Sequence, residues 1–177
     1  VGVTAEATAP CTWRLPGAST DAADLALLEQ LPTVLGAAEI DMTLFFRGLA
    51  AVPTDAACSI DARLAPLAEA FYGPLGVAEA PLANWLAAHA ERVRAHDADA
   101  AARRASMHAV NPLYVPRNYL AQEAIDAAAA GDVTRLHRWL EVLRAPYTTQ
   151  PGAEAFAARR PEWARNRAGC SMLSCSS

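Results

Sequence analysis

Apolar residues recur along most of this chain at steps of three and four, the spacing that lines one face of a helix. Strictly alternating apolar and polar runs, the mark of a half-buried strand, are missing, and Val, Ile and Thr are sparse. The first helix is capped by Ser19 or Thr20, carries Asp21 and Asp24 in its first turn, shows Leu25, Leu28 and Leu31 as its stripe, and ends near Pro32. The second runs through Ile40, Leu44, Phe45, Leu49 and Val52, with Asp41 as its cap and Pro53 as its stop. A third spans about Ile60 to Tyr72, with a kink or break at Pro66. Pro81 to Arg94 forms the fourth, turning Leu82, Trp85, Leu86 and Val93 to the core, and Asp97 to His108 forms the fifth, broken by Asn111-Pro112. Pro116 opens the sixth, through Tyr119, Leu120 and Ile125, and Gly131 closes it in a left-handed cap. Asp132 caps the seventh at once, where Val133, Leu136, Leu140 and Leu143 make one apolar seam before Pro146. The sixth and seventh therefore form an antiparallel hairpin. A short helical stretch follows around Ala153 to Arg160, and beyond Trp163 the chain turns polar and flexible.

The expected fold is all-α, an irregular bundle of about seven helices ending in a flexible Cys-Ser-Ser tail. Composition agrees. In 177 residues, 53% are hydrophobic and 19% charged, enough apolar material for one core. Alanine, the best helix former, is the commonest residue. A net charge of −4 argues against a nucleic-acid partner, which would need a basic face. No apolar run approaches the roughly 20 residues that span a bilayer, and no secretory leader is visible, so the expectation is a protein of the bacterial cytoplasm without a membrane partner. The chain begins with Val, which points to a processed product or a fragment.

All fifteen basic residues are arginines. Without lysine there is no Walker phosphate loop, and the other phosphate loops, kinase motifs, zinc signatures and serine elbows are missing too. His89 and His96 could share a helix face, but two histidines without further ligands rarely hold a metal, and two partly exposed histidines on a polar face is the simpler reading. Asp41, Asp55 and Asp61 suit caps and turns better than catalysis. The expected catalytic, cofactor-binding and metal-binding residues of this chain are therefore none.

One local feature carries chemistry: Gly169-Cys-Ser-Met-Leu-Ser-Cys-Ser-Ser177. A thiol in a terminal segment reaches oxidants or another cysteine. A helical Cys170–Cys175 spacing would rise about 7.5 Å, whereas a disulfide wants Cα atoms about 4.4–6.8 Å apart. Such a bridge needs a bend, which the neighbouring Gly and Ser permit. Cys170 and Cys175 are the candidate redox residues.

Several segments, taken in order, resemble the selenoprotein O family. Asn111-Pro-Leu-Tyr-Val-Pro-Arg-Asn-Tyr-Leu-Ala-Gln-Glu-Ala-Ile-Asp126 is similar to its NPxYVxRNYLAQxAI segment. Ile40-Asp-Met-Thr-Leu-Phe-Phe-Arg-Gly-Leu49 is similar to its vDyTxFFRxL helix, with Met42 in place of an aromatic residue. The Gly131-Asp132 break, the leucine-rich helix from Arg135 to Leu143, Pro146-Tyr147, Pro161-Glu-Trp-Ala164 and the closing Cys175-Ser176-Ser177 follow the family's order, while Pro116 takes a place that usually holds a helix former.

The resemblance implies a protein adenylyltransferase, a kinase-like enzyme that moves AMP from ATP, with magnesium or manganese, onto hydroxyls of protein substrates. The nucleotide and metal sites would lie in an amino-terminal kinase-like portion outside these residues. The resemblance divides the chain into residues 1–19, a linker or truncated edge of that portion; 20–165, a carboxy-terminal helical domain whose partner is that kinase-like portion; and 166–177, a flexible redox tail. It also makes Cys175 the position that, in some members, bridges to a cysteine of the kinase-like part. Arg117, Asn118 and Tyr119 are expected to pin the start of the sixth helix rather than touch substrate, and Trp85, Trp139 and Trp163 to be packing residues. Two other classes stay open: a free-standing all-α interaction module, and a small redox protein using Cys170 and Cys175.

Overall fold

A computed structural model describes residues 22–95 and 99–170. The expected cap at Ser19 to Asp21, the Asp97 start of the fifth helix, His96 and the Cys-Ser-Ser tail lie outside them. The described residues form eight α-helices and no β-strand. A single antiparallel bridge pairs Ile40 with Phe71. The all-α expectation holds. The chain divides into two compact units, Val1–Asn111 and Pro112–Ser177.

In the first unit α1 (Ala22–Gly36) lies on α4 (Glu79–Ala95), while α2 (Met42–Leu49) lies on the 3-10 turn Ala65–Ala70 that continues α3 (Ile60–Leu64). Phe45, Leu49, Leu67, Leu82, Trp85 and Leu86 are the middle of its core, and α5 (Ala100–Val110) adds Met107. Asp41 is the cap of α2, its carboxylate accepting from the Leu44 amide at 3.1 Å. Pro66 ends α3 and tightens the chain into the 3-10 turn, as a residue without an amide hydrogen should. That turn passes so close to α2 that a Cβ on Gly48 would sit 2.4 Å from the Pro66 carbonyl oxygen. Asp55 accepts from the Ala57 amide at 2.7 Å, a turn role.

Two expectations fail here. Helix α1 does not stop at Pro32 but continues to Gly36, and its buried edge is Asp24, Leu27, Leu31 and Val34. Leu25 and Leu28 face outward. A bidentate ion pair from Arg92 to Asp24, at 2.5 and 3.1 Å, sets this rotation together with a 2.9 Å bond from the Trp85 indole to the Leu27 carbonyl. Ion-pair geometry outweighs the choice between two similar leucine stripes. Second, His89 is not on a polar face. It is 1% exposed, stacked on the Trp85 ring at 5.4 Å.

The second unit is built on α6 (Asn118–Ala129) and α7 (Thr134–Leu143), with the single turn α8 (Glu154–Ala157) and a 3-10 turn at Glu162–Ala164 beside them. Gly131, at φ +89°, closes α6. Its amide donates to the Ala128 carbonyl and the Asp132 amide to that of Ala127, the double bond pattern of a glycine-ended helix. Asp132 then accepts from the Thr134 amide at 2.8 Å. The seam expected on α7 is rotated. Trp139 and Val142 are buried, Leu136 and Leu143 lie partly buried at their edge, and Val133 and Leu140 are about half exposed. The bulk of Trp139 and an Arg135–Glu123 ion pair across the hairpin decide which side turns inward. Ile125 on α6 is also exposed. Among the described residues no helix is long and apolar enough to cross a membrane.

Burial, and next the positive charge of Arg103, hold the His89 imidazole at about 4, below its usual 6.5. The unfolded chain therefore binds a proton that the folded chain refuses between those values, so stability from this group is full above pH 6.5 and falls as pH drops toward 4. The loss should reach about 3 kcal/mol. Unfolding midpoints in urea between pH 7 and pH 4 should fall less for His89→Gln than for the unaltered chain; parallel pH slopes would contradict this.

Candidate functional site

Two sets of motif residues carry the local chemistry, one in each unit. In the first unit Arg47, at the end of α2, donates from Nη1 to the carbonyl oxygens of His108 at 3.2 Å and Asn111 at 3.0 Å. Those carbonyls end α5, where outgoing helical oxygens lack partners and a cation opposes the macrodipole. Asn111 closes the same end, its amide side chain donating to the Met107 carbonyl at 2.9 Å. The His108 ring approaches the Arg47 carbonyl at 3.4 Å, and burial, then Arg47, lowers its pKa. Arg47 belongs to the Phe-Phe-Arg segment and Asn111 to the Asn-Pro-Leu-Tyr segment, so two motifs far apart in sequence meet. Arg47 received no role of its own from sequence reasoning; its signals were its place in the Phe-Phe-Arg segment and its position at the end of an otherwise apolar helix.

Behind this junction, Arg103 is buried and donates to the Val52 carbonyl at 3.2 Å. Arg63 is buried as well and donates to the Asp55 carbonyl at 2.8 Å. Both arginines hold loop carbonyls in place of a carboxylate.

In the second unit the amides of Leu113 and Tyr114 both donate to the Pro146 carbonyl, at 2.7 and 3.1 Å. The Tyr114 hydroxyl accepts from the Gln150 amide at 3.0 Å, and the Gln150 side chain donates to the Val142 and Ala145 carbonyls at 2.8 and 3.1 Å, closing α7. Tyr119 donates to the Ala158 carbonyl at 2.7 Å and meets the Trp163 ring edge-on at 6.4 Å. Arg167 lies 5.4 Å over that tryptophan and donates to Asp126 at 2.7 Å. Asp126 also accepts from Gln122, and these two bonds lower its pKa, Gln122 first.

A cavity of about 270 Å³ opens at the start of α6, lined by Val115, Pro116, Arg117, Asn118, Tyr119, Arg160 and Cys170. Asn118 donates across it to the Cys170 carbonyl at 3.4 Å. Asn118 and Tyr119 thus tie the helix start to later chain. The Cys170 thiol is free and 5% exposed, part of the second core; Cys58 is free and partly exposed. Cys175 lies outside the described residues. Trp85 and Trp139 are buried, and Trp163 is 45% exposed. Among the described residues no group of three or more His, Cys, Asp or Glu side chains could hold a metal ion.

Arg47→Ala should destabilise the first unit by about 2–3 kcal/mol, because it leaves two helix-end carbonyls without a charged donor. Urea denaturation followed through Trp85 checks this; a change under about 0.5 kcal/mol would show that water replaces the guanidinium without loss.

Comparison with known proteins follows the same residues. The family described as Protein adenylyltransferase SelO matches residues 14–144. Three proteins each named Protein nucleotidyltransferase YdiU align over 156 residues: those of Aromatoleum aromaticum at 54% identity, Xanthomonas axonopodis pv. citri at 52% and Xylella fastidiosa at 51%. In each case the match covers 87% of this chain but only 29% of the relative. With the Arg47–Asn111 junction and most of the tyrosine anchors inside the matched span, this chain belongs to the SelO family.

Proposed function

We propose that these residues are the carboxy-terminal helical part of a longer polypeptide that transfers AMP from ATP to hydroxyl groups of protein side chains, and that they support it rather than carry its chemistry. In that reaction a side-chain hydroxyl attacks the α-phosphorus of ATP and pyrophosphate leaves. A divalent ion, magnesium or manganese, bound in the kinase-like part would neutralise the charge that develops. The family and the names of the relatives support the nucleotidyl-transfer reading.

The observation that carries the supporting role is where the signature side chains point. Arg47, Asn111, Tyr114, Asn118 and Tyr119 all direct polar atoms at carbonyls or amides of the chain itself. A group held this way fixes a helix end; it is not presented to a nucleotide. With radiolabelled ATP, manganese and an acceptor protein, the longer polypeptide should label the acceptor, and these 177 residues should not. Labelling by the 177-residue chain alone would overturn the supporting role.

We further propose that Cys175 is the redox-sensitive position, and that residues 166–177 form a redox tail. Joining its thiol to a second one releases two protons and two electrons, which a peroxide or a small disulfide accepts. Cys170 is the less suited of the pair, being buried in the second core. In the longer polypeptide, mild peroxide should change the AMP-transfer rate of the unaltered protein at least threefold and leave Cys175→Ser within error of its reduced rate. Equal responses would remove Cys175 from this role.

A further inference from the structure

Helix α1 is apolar on more sides than its neighbours among the described residues cover. Its fifteen residues carry two charges, Asp24 and Glu29, and Asp24 is turned inward onto Arg92. The buried edge, Asp24, Leu27, Leu31 and Val34, follows steps of three, four and three against α4. A second edge repeats those steps one residue later: Leu25, Leu28, Pro32 and Leu35. Leu35 is partly buried and packs on the core, while Leu25 is 50% and Leu28 44% exposed. The apolar surface thus runs unbroken from the core around the helix into solvent. A surface helix normally turns charged or polar residues outward; one that is apolar most of the way round belongs between two layers.

We propose that this second edge is a docking surface, and that its occupant is polypeptide of the longer family protein lying outside these 177 residues. The inference rests on the reading of the chain as part of that protein. The relatives supply the length: the match spans 29% of each, so most of the family polypeptide has no counterpart here, while α1 itself falls within the family match. The size of the patch selects this occupant over a second copy of the chain. A stable dimer buries about 1,600 Å² in all, more than a stripe of four side chains offers. A covalently continuous segment acts instead at an effective concentration in the millimolar range, where a small apolar contact is enough. The occupant's matching surface is aliphatic and uncharged, since the stripe holds no group that could pair with an ion.

Alkylation of single cysteines tests this directly. Leu25→Cys, Leu28→Cys and Ala26→Cys are placed one at a time in the longer polypeptide with its native cysteines changed to serine. Ala26 is exposed, on the side of α1 away from the stripe. In the longer polypeptide, a maleimide should modify Leu25→Cys and Leu28→Cys about tenfold more slowly than Ala26→Cys. In the 177-residue chain the three rates should agree within about twofold. Equal rates in the longer polypeptide would overturn the proposal, as would slow reaction of all three there. Protection in the 177-residue chain that grows with its concentration would overturn it in favour of a second copy. AMP transfer by the same longer polypeptide is measured alongside: its absence would defeat the proposed function and leave the alkylation result standing.

Discussion

The end of a helix leaves carbonyl oxygens pointing at nothing, and burying them unpaired costs more than most single contacts return. The first unit meets this cost at the end of α5 with Arg47, whose guanidinium donates to the carbonyls of His108 and Asn111. Everything near the junction follows from that placement. Arg47 can reach only because α2 ends where it does. Helix α2 is held by the Asp41 cap at its start and packs flush on the 3-10 turn through Gly48. Burial, and then the same charge, push down the pKa of His108 beside the junction.

The second unit solves the same problem with neutral groups. Pro146 has no amide hydrogen, but its carbonyl takes two, from Leu113 and Tyr114. Gln150 covers the last oxygens of α7, and its own amide is held by the Tyr114 hydroxyl. Tyr119 secures the Ala158 carbonyl from the start of α6. Three loops are fixed by these backbone bonds and three side chains, and none of these bonds depends on a charged group. Acid should therefore act first on the other unit, where a buried histidine stays neutral beside an arginine.

Much of this was legible in the amino-acid pattern. Caps such as Asp41, the Gly131 close and the break at Pro66 are set within four or five residues of chain, so local chemistry decides them. The rotation of a helix about its own axis is decided elsewhere. Leu25-Leu28-Leu31 and Leu27-Leu31-Val34 are equally good stripes on paper; Arg92, 68 residues away from Asp24, selects the second. On α7, likewise, Trp139 and the Arg135–Glu123 pair turn Val133 and Leu140 toward solvent. His89 was misplaced for a related reason. A histidine in a run of alanine and arginine reads as surface, and only the flat approach of Trp85 shows why it is inside. Of the site residues, Cys170 lies at the edge of a cavity as a buried thiol, a property of packing that no spacing rule contains.

Side chains that mark a family are often read as its chemistry, and here their bonding argues otherwise. A group that serves a nucleotide must keep donors aimed at an empty place until the ligand arrives. Asn111 does the opposite: its side-chain amide and its backbone amide both end on the Met107 carbonyl of its own helix. Tyr114 and Tyr119 likewise turn their hydroxyls to backbone groups of the chain itself. Residues kept for such roles preserve the angle at which one helix leaves another. Angles of that kind matter most when something large must fit against the result, and the bare leucines of α1 lie on a unit whose helix ends are fastened in this way.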